Sequence, residues 1–564
     1  MRWSHINLAL SSALAGMLTL AHSPMLQAQD LKSAAMSVVT NSEAMQLQRA
    51  VNQSLFIRIG DELIDLLEIR EFYKLRNFNP IWTTRGQRNE LSQALQTYIE
   101  SVGRHALNPN DYILPLGRNS LETEILTTER MLRLAQQLSN GRFDPDQIDF
   151  DIKFKRKNLT VVDNLALSNA LNQDGRSLMT ALENLAPQMP AYKDLMLSLA
   201  ELRDRKARDL TYTRMKYPGI EIRPPYTFLL LPQLRQALND RGYTVATDST
   251  KYDSNLEMVI KTFQAENGLE VGSNIGPNSE FWRVLSFSID QRIKQIEVNM
   301  EKLRWLPRNL EARHIFVNTA FTEFHLLENG KPVLEMKTVN GRPTWRTPTM
   351  RDLLVGVILN PTWTAPDSIV TQMKLPEILK DVTWLEKNRI TMKEKSSGAE
   401  IDPTSVNWKL EGVNIAKRAL FVQQPGPNNS LGIVKFPLAI NRDDIYMHDT
   451  NERDLFSKGM RQRSSGCMRL EKPIELANYL LQGTEYTPEK LDQLITKGTP
   501  DEIYETNQRI NLTKDKWVPV YTVYLTAERS AAGRIRFATD YYGQDSRVSA
   551  AILQSPAKRE GSFR

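Results

Sequence analysis

Cys467 is the only cysteine in a chain of 564 residues, and His448, one of six histidines, stands nineteen positions before it. A thiol attacks a carbonyl as its thiolate, and a free cysteine is mostly protonated at neutral pH. An imidazole beside it can take that proton and later return it to a leaving amine. The run Ile445-Tyr446-Met447 reads as a short strand with His448 at its end, and Ser464-Ser465-Gly466 reads as a tight turn before the sulfur. A glycine there lets backbone N–H groups converge, which is how an oxyanion formed on acyl attack is stabilised. Ser465 and Gly466 are the candidate N–H donors.

Lone cysteines commonly serve as small buried hydrophobes. Cys467 instead follows Ser-Ser-Gly and is flanked by Arg461, Arg463 and Arg469. Cations at that spacing favour the thiolate. Arg469 is also the candidate contact for a substrate carboxylate, because a guanidinium binds one with two parallel hydrogen bonds. Lys458, Arg461 and Arg463 otherwise read as a solvated basic loop. Ser555-Pro556-Ala557-Lys558 has the Ser-x-x-Lys spacing of a serine nucleophile, without a Ser-Asp-Asn or Lys-Thr-Gly partner. His105, His314 and His325 lack metal-ligand spacing. There is no phosphate-binding or dinucleotide fingerprint.

His448, its spacer and Ser465-Gly466-Cys467 resemble the signature of the YkuD-type L,D-transpeptidases: a histidine, a spacer, then Ser/Thr-His-Gly-Cys. Ser465 replaces the usual histidine and Arg469 a common asparagine. Ser-Ser-Gly-Cys-x-Arg is similar to the large, YcbB-like branch of that family. The resemblance implies that Cys467 is the nucleophile and His448 the base, with the backbone carbonyl of Asp449 orienting the imidazole. Arg469, Tyr446 and Asn429 are assigned to substrate contact. It implies no metal and no organic cofactor.

Composition is ordinary for a soluble protein, with 41% apolar and 24% charged residues and a net charge of +6. A mildly basic chain is drawn to anionic polymers; no motif points to nucleic acid. Arg2 and His5 precede an apolar run from Ile6 to Leu20, followed by Leu26-Gln27-Ala28. This reads as a secretory signal peptide over 1–28, or an uncleaved inner-membrane anchor. The expected location is the periplasm of a Gram-negative bacterium. One cysteine allows no internal disulfide, so apolar cores must carry the fold.

The expected architecture is multidomain α+β. Residues 29–222 read as a helical scaffold, with apolar residues at three- and four-residue spacing from Leu63 onward. FYKLRNFNPIWT, HALNPNDY, GRFDPDQI and LENLAPQMPAYKDL are similar to the scaffold of the large branch. Within 223–288, Leu256, Val259, Ile260 and Phe263 form one helix face. The Phe-Gln, Gly-Leu and Ile-Gly pattern resembles a small three-helix peptidoglycan-binding domain. Ile289–Leu303 lies in a connector helix over 289–312. Beyond it the period becomes strand-like, and Asn329-Gly330 between two such runs is a hairpin signal. The catalytic domain is expected over 313–498, mostly β. Within it, 367–418 is helical and polar, too long for an ordinary connection, and resembles the capping subdomain of the large branch. Residues 499–564 read as a separate C-terminal β segment and tail.

The resemblance implies 3→3 cross-linking of peptidoglycan. Cys467 attacks a tetrapeptide stem, D-alanine leaves, and an amine of a second stem resolves the thioester; carbapenems acylate the same sulfur. L,D-carboxypeptidase action, attachment of a lipoprotein to the wall, and a non-enzymatic wall-binding scaffold are the alternatives. Other wall-synthesis proteins are possible partners.

Overall fold

The structure is a computed structural model and describes residues 42–426, 428–440, 444–495 and 506–554. The signal segment and the Ser555-to-Lys558 motif lie outside the described residues. Among the described residues no helix is long and apolar enough to cross a membrane.

The scaffold's helices form where helical spacing predicts them except at its start: Leu63 lies in a strand, Glu62–Asp65, paired antiparallel with Phe56–Ile59, and the helix begins only at Leu67. The main helices are Glu90–Ser101, Ser120–Asn140, Val161–Leu171, Gly175–Leu185 and Pro190–Ala207. Side chains fix their starts: Asn89, Asn119, Thr160 and Asp174 each accept the N–H three residues on. That satisfies donors with no partner inside the helix. Glu124, buried in the long helix, accepts the N–H groups of Ile81, Trp82 and Thr83 and so pins the incoming loop.

Three short helices, Leu231–Asn239, Ser254–Glu266 and Glu280–Ser286, enclose a core of their own. Leu256, Val259, Ile260 and Phe263 all point into it. Helix Ile289–Leu303 then leads to the catalytic sheet.

That sheet has eleven strands. In chain order they are β1 (Arg313–Asn318), β2 (Glu323–Glu328), β3 (Lys331–Gly341), β4 (Met350–Leu354), β5 (Gly356–Leu359), β6 (Val434–Phe436), β7 (Met447–His448), β8 (Gln462–Ser464), β9 (Met468–Leu470), β10 (Gln508–Asn511) and β11 (Val518–Val523). Their spatial order is β10-β5-β6-β7-β9-β3-β2-β1-β11-β4, with β8 paired to β3. The β2–β3 hairpin turns at Asn329-Gly330, both with positive φ (50° and 78°), as the sequence predicts.

Two expectations are corrected. First, the C-terminal stretch is not a separate segment. β10 pairs with β5, and β11 lies between β1 and β4. Tyr521, Val523, Leu525 and Phe537 also pack into the scaffold core beside Ile293, Ile296 and Met300 of the connector helix. Second, the capping insertion is not simply helical. It carries a four-stranded sheet of Trp363–Ala365, Ala419–Gln423, Ile390–Glu394 and Glu400–Ile401 in that order. Short helices cover that sheet, and its core includes Val370, Leu375, Ile378, Leu385 and Phe421. These strands run two to five residues, too short to set a period against the polar sequence between them.

Candidate active site

The site is written in strand register. Lys435 on β6 pairs with His448 on β7, and β7 runs parallel to β9 with His448 opposite Arg469. Lys435, His448 and Arg469 therefore form one row across three strands. Successive side chains alternate faces, so Tyr446 and Cys467, each two residues back, flank the same row on the same face. Rings of Tyr446 and His448 lie 5.6 Å apart. Cys467 thus stands diagonally next to His448, on the loop leaving β8 and entering β9.

The imidazole is fixed by the chain that follows it. Its Nδ1 lies 2.5 Å from the Asp449 carbonyl oxygen. A carbonyl only accepts, so Nδ1 carries the proton and Nε2 the lone pair. This is the base tautomer, and the orienting group is the one expected. Asp449 is itself held: its carboxylate accepts Ile433 N–H at 3.0 Å and contacts Arg453 at 2.8 Å. Burial pushes His448 down to about 3; Arg469 and Lys435 push the same way, against the carbonyls of Asp449 and Leu431.

Cys467 is half-buried, with Sγ 3.5 Å from the Asp444 carbonyl oxygen. Burial raises its thiol to about 11. The Tyr446 backbone and hydroxyl, Lys435 and Arg469 oppose that rise. The expectation that flanking arginines make a thiolate is corrected. Arg461 bonds the carbonyls of Lys458 and Phe321, and Arg463 that of Met460. The cations facing the sulfur are Lys435 and Arg469, and burial outweighs both. The resting pair is neutral thiol and neutral imidazole.

Gly466 has φ +117°, a conformation suited to glycine, and a Cβ there would meet Ile445 Cδ1 at 3.1 Å. Its N–H is taken by the Ser464 hydroxyl at 3.2 Å. That corrects its assignment as an oxyanion donor. Among the described residues no acceptor is shown for the N–H of Ser465 or of Cys467, so those two remain available.

Asn429 does not face a substrate. It is buried, its amide bonds the carbonyls of Pro361 and Gln424, and its oxygen accepts Leu431 N–H. It shapes the loop returning from the cap. Arg469 is at the site, ion-paired with Glu452, whose side chain is 54% exposed. A substrate carboxylate would have to displace that exposed partner.

Sequence reasoning missed Lys435 and Lys374. Lys435 Nζ lies 3.8 Å from the centre of the Tyr446 ring. It lies in the region where the sequence period is strand-like, but its pairing to His448 needs three-dimensional register. Lys374, in the cap, is held between the rings of Trp363 and Trp384 at 5.3 and 5.1 Å. Burial lowers it, while Glu452 and Arg469 act on it in opposite directions. The cap thus brings a cation and two indoles to the edge of the site. Among the described residues no cluster of side chains suits a metal ion.

Residues 312–490 match the L,D-transpeptidase catalytic domain family, YkuD. The chain carries a YkuD-type L,D-transpeptidase catalytic domain. Residues 67–199 match the Scaffold domain family, and 231–278 the family described as "Putative peptidoglycan binding domain". That layout is the one of the large, YcbB-like L,D-transpeptidases. A curated Haemophilus influenzae protein named "Putative L,D-transpeptidase" is 29% identical over 262 residues, 46% of this chain and 50% of the relative. The match therefore spans about half the length of that relative. Among solved structures, the E. faecium L,D-transpeptidase catalytic domain acylated by ertapenem is 13% identical, with TM-score 0.17, covering 38% of this chain and 99% of that one. An L,D-transpeptidase from Xylanimonas cellulosilytica is 12% identical, with TM-score 0.16, covering 54% and 98%. Scores that low lend no further support to the fold.

Proposed function

We propose that this L,D-transpeptidase joins two peptidoglycan stems through a thioester on Cys467. One observation supports this above the others: Cys467, at the entry to β9, stands two residues before Arg469, which is the register partner of the base-tautomer His448 on the parallel neighbour β7. As the carbonyl of a tetrapeptide stem approaches, the Cys467 proton passes to His448 Nε2 and the sulfur–carbon bond forms. The oxyanion is met by backbone N–H groups of the nucleophile loop. The bond to the terminal D-alanine breaks, and His448 returns its proton to the departing amine. An amine of a second stem then attacks the thioester, the sulfur leaves, and a 3→3 link results.

A neutral resting pair suits this chemistry, because the ion pair forms only when a substrate carbonyl is in reach. The Arg469 guanidinium would receive a stem carboxylate in place of Glu452. The capping subdomain restricts water, the competing nucleophile at the thioester. Export to the periplasm and acylation by carbapenems belong to the same reading.

Mass spectrometry of the purified protein mixed with a carbapenem tests it. A covalent adduct is expected on the wild type and none on Cys467→Ala. Incubation with disaccharide-tetrapeptide should then yield a cross-linked dimer. Tripeptide alone would make the protein an L,D-carboxypeptidase, and no adduct and no product would leave a non-enzymatic wall-binding role.

A further inference from the structure

The loop between β3 and β4, residues 342–349, lies under the nucleophile loop and is gripped from outside the catalytic domain. Arg342 donates its backbone N–H to the Ser464 carbonyl at 2.9 Å. The Thr347 hydroxyl donates to the Gly466 carbonyl at 2.6 Å and accepts Gly341 N–H at 2.9 Å. The next residue back, Arg346, reaches two carboxylates of the scaffold: Asp149 through Nη1 and Asp151 through Nε, each at 2.9 Å. The side chain of Asp149 is 1% exposed. Arg547 of the C-terminal helix Gln544–Gln554 also binds it, with Nε at 2.9 Å. Backbone pairing adds to the grip. Thr349 N–H bonds the Asp151 carbonyl at 2.9 Å, and Lys153 N–H bonds the Thr349 carbonyl at 2.8 Å.

The peptide plane explains what this achieves. The Gly466 carbonyl and the Cys467 N–H belong to one planar, trans unit and point in opposite directions. A hydroxyl that fixes the carbonyl therefore aims the N–H. Gly466, with φ +117° and no side chain, is the residue least able to hold that plane alone. We propose that Asp149 and Asp151 of the scaffold, acting through Arg346 and Thr347, orient the Gly466–Cys467 peptide so that the Cys467 N–H meets the acyl oxyanion. The scaffold is thus part of the machinery that sets the acylation rate, and Asp149, Arg346 and Thr347 are positioning residues. This rests on the transpeptidase reading above.

Two reactions of the same sulfur separate positioning from folding. Alkylation by iodoacetamide needs the thiol but forms no oxyanion. Acylation by a carbapenem needs both. In the full-length protein, Thr347→Val should slow acylation about tenfold, less than the ~10²–10³ lost when an oxyanion donor is removed outright, because the N–H is misaimed rather than absent. Alkylation should stay within about twofold, and Thr347→Ser should restore acylation, since the hydroxyl alone makes the bond. Asp149→Asn should show the same split to a smaller extent, and it decides the matter should Thr347→Val fail to fold. Unchanged acylation in the folded variants, or acylation and alkylation falling together, overturns the inference. A wild type that takes no acyl group at all, though its sulfur alkylates, instead overturns the transpeptidase reading and this inference with it.

Discussion

Both members of the reacting pair rest uncharged, and pH dependence follows from that. With His448 pushed down to about 3 and Cys467 up to about 11, neither ionises in the ordinary working range. The acylation rate should therefore be flat from about pH 5 to about pH 9, with no inflection where a free imidazole titrates. A stopped-flow profile of carbapenem acylation checks this; a limb near pH 6.5 would show a solvated imidazole. The stability sign is the reverse of that for a salt-bridged histidine. A base whose folded value lies below its ordinary 6.5 binds fewer protons folded than unfolded. Its contribution is present above 6.5 and is lost as pH falls from there towards 3. Lys435 supplies one of two cations that favour the thiolate. Lys435→Met should raise the midpoint of Cys467 alkylation by roughly half a unit to one unit, and Lys435→Arg should largely restore it. At this scale the sequence was legible where chemistry is local: the lone thiol, the histidine at a strand end and the carbonyl after it. Lys435 was not, because it stands thirteen residues before His448 in sequence and the two strands pair only in the fold.

Elements decide how tightly those groups are held. The segment returning from the cap passes Gly432, at φ +60°, where a Cβ would lie 2.2 Å from the Asp449 carboxylate. Gly432→Ala forces a left-handed alanine, costing about 1 kcal/mol, and also pushes on the residue whose carbonyl holds His448. A lower melting temperature and a loss of acylation larger than the loss of alkylation are expected. The cap makes its own prediction. Trp384 and Trp363 hold Lys374 at the site's edge, so Trp384→Ala should loosen that edge and admit water. The ratio of hydrolysed tripeptide to cross-linked dimer should rise roughly threefold, while carbapenem acylation changes little. The insertion was visible in the sequence by its length. Its sheet was not, since strands such as Glu400–Ile401 are two residues long and carry no period.

The largest departure from the sequence reading concerns the molecule as a whole. Boundaries drawn from the sequence put the catalytic domain at 313–498 and set residues 499–564 apart. Yet all six residues of β11 are buried. That strand joins β1 by parallel pairing and β4 by antiparallel pairing, and parallel neighbours distant in sequence leave no local signature. Its end, at Tyr521 and Val523, also enters the core shared by the scaffold and the connector helix. One strand thus closes the catalytic sheet and ties it to the scaffold that steadies Arg346. A chain ending at Gly498 would lose β10 and β11, leaving β5 and β1 as open edges, depriving β4 of its strand partner and exposing the apolar faces that β11 covers. Such edges pair with other chains. Circular dichroism with heating should show a broadened transition at lower temperature for that truncation, and size-exclusion chromatography should show aggregates, whereas the full chain melts sharply. A truncated chain that melts sharply and still takes a carbapenem on Cys467 would mean that β11 is an accessory, and that the scaffold's grip on the nucleophile loop does not depend on it.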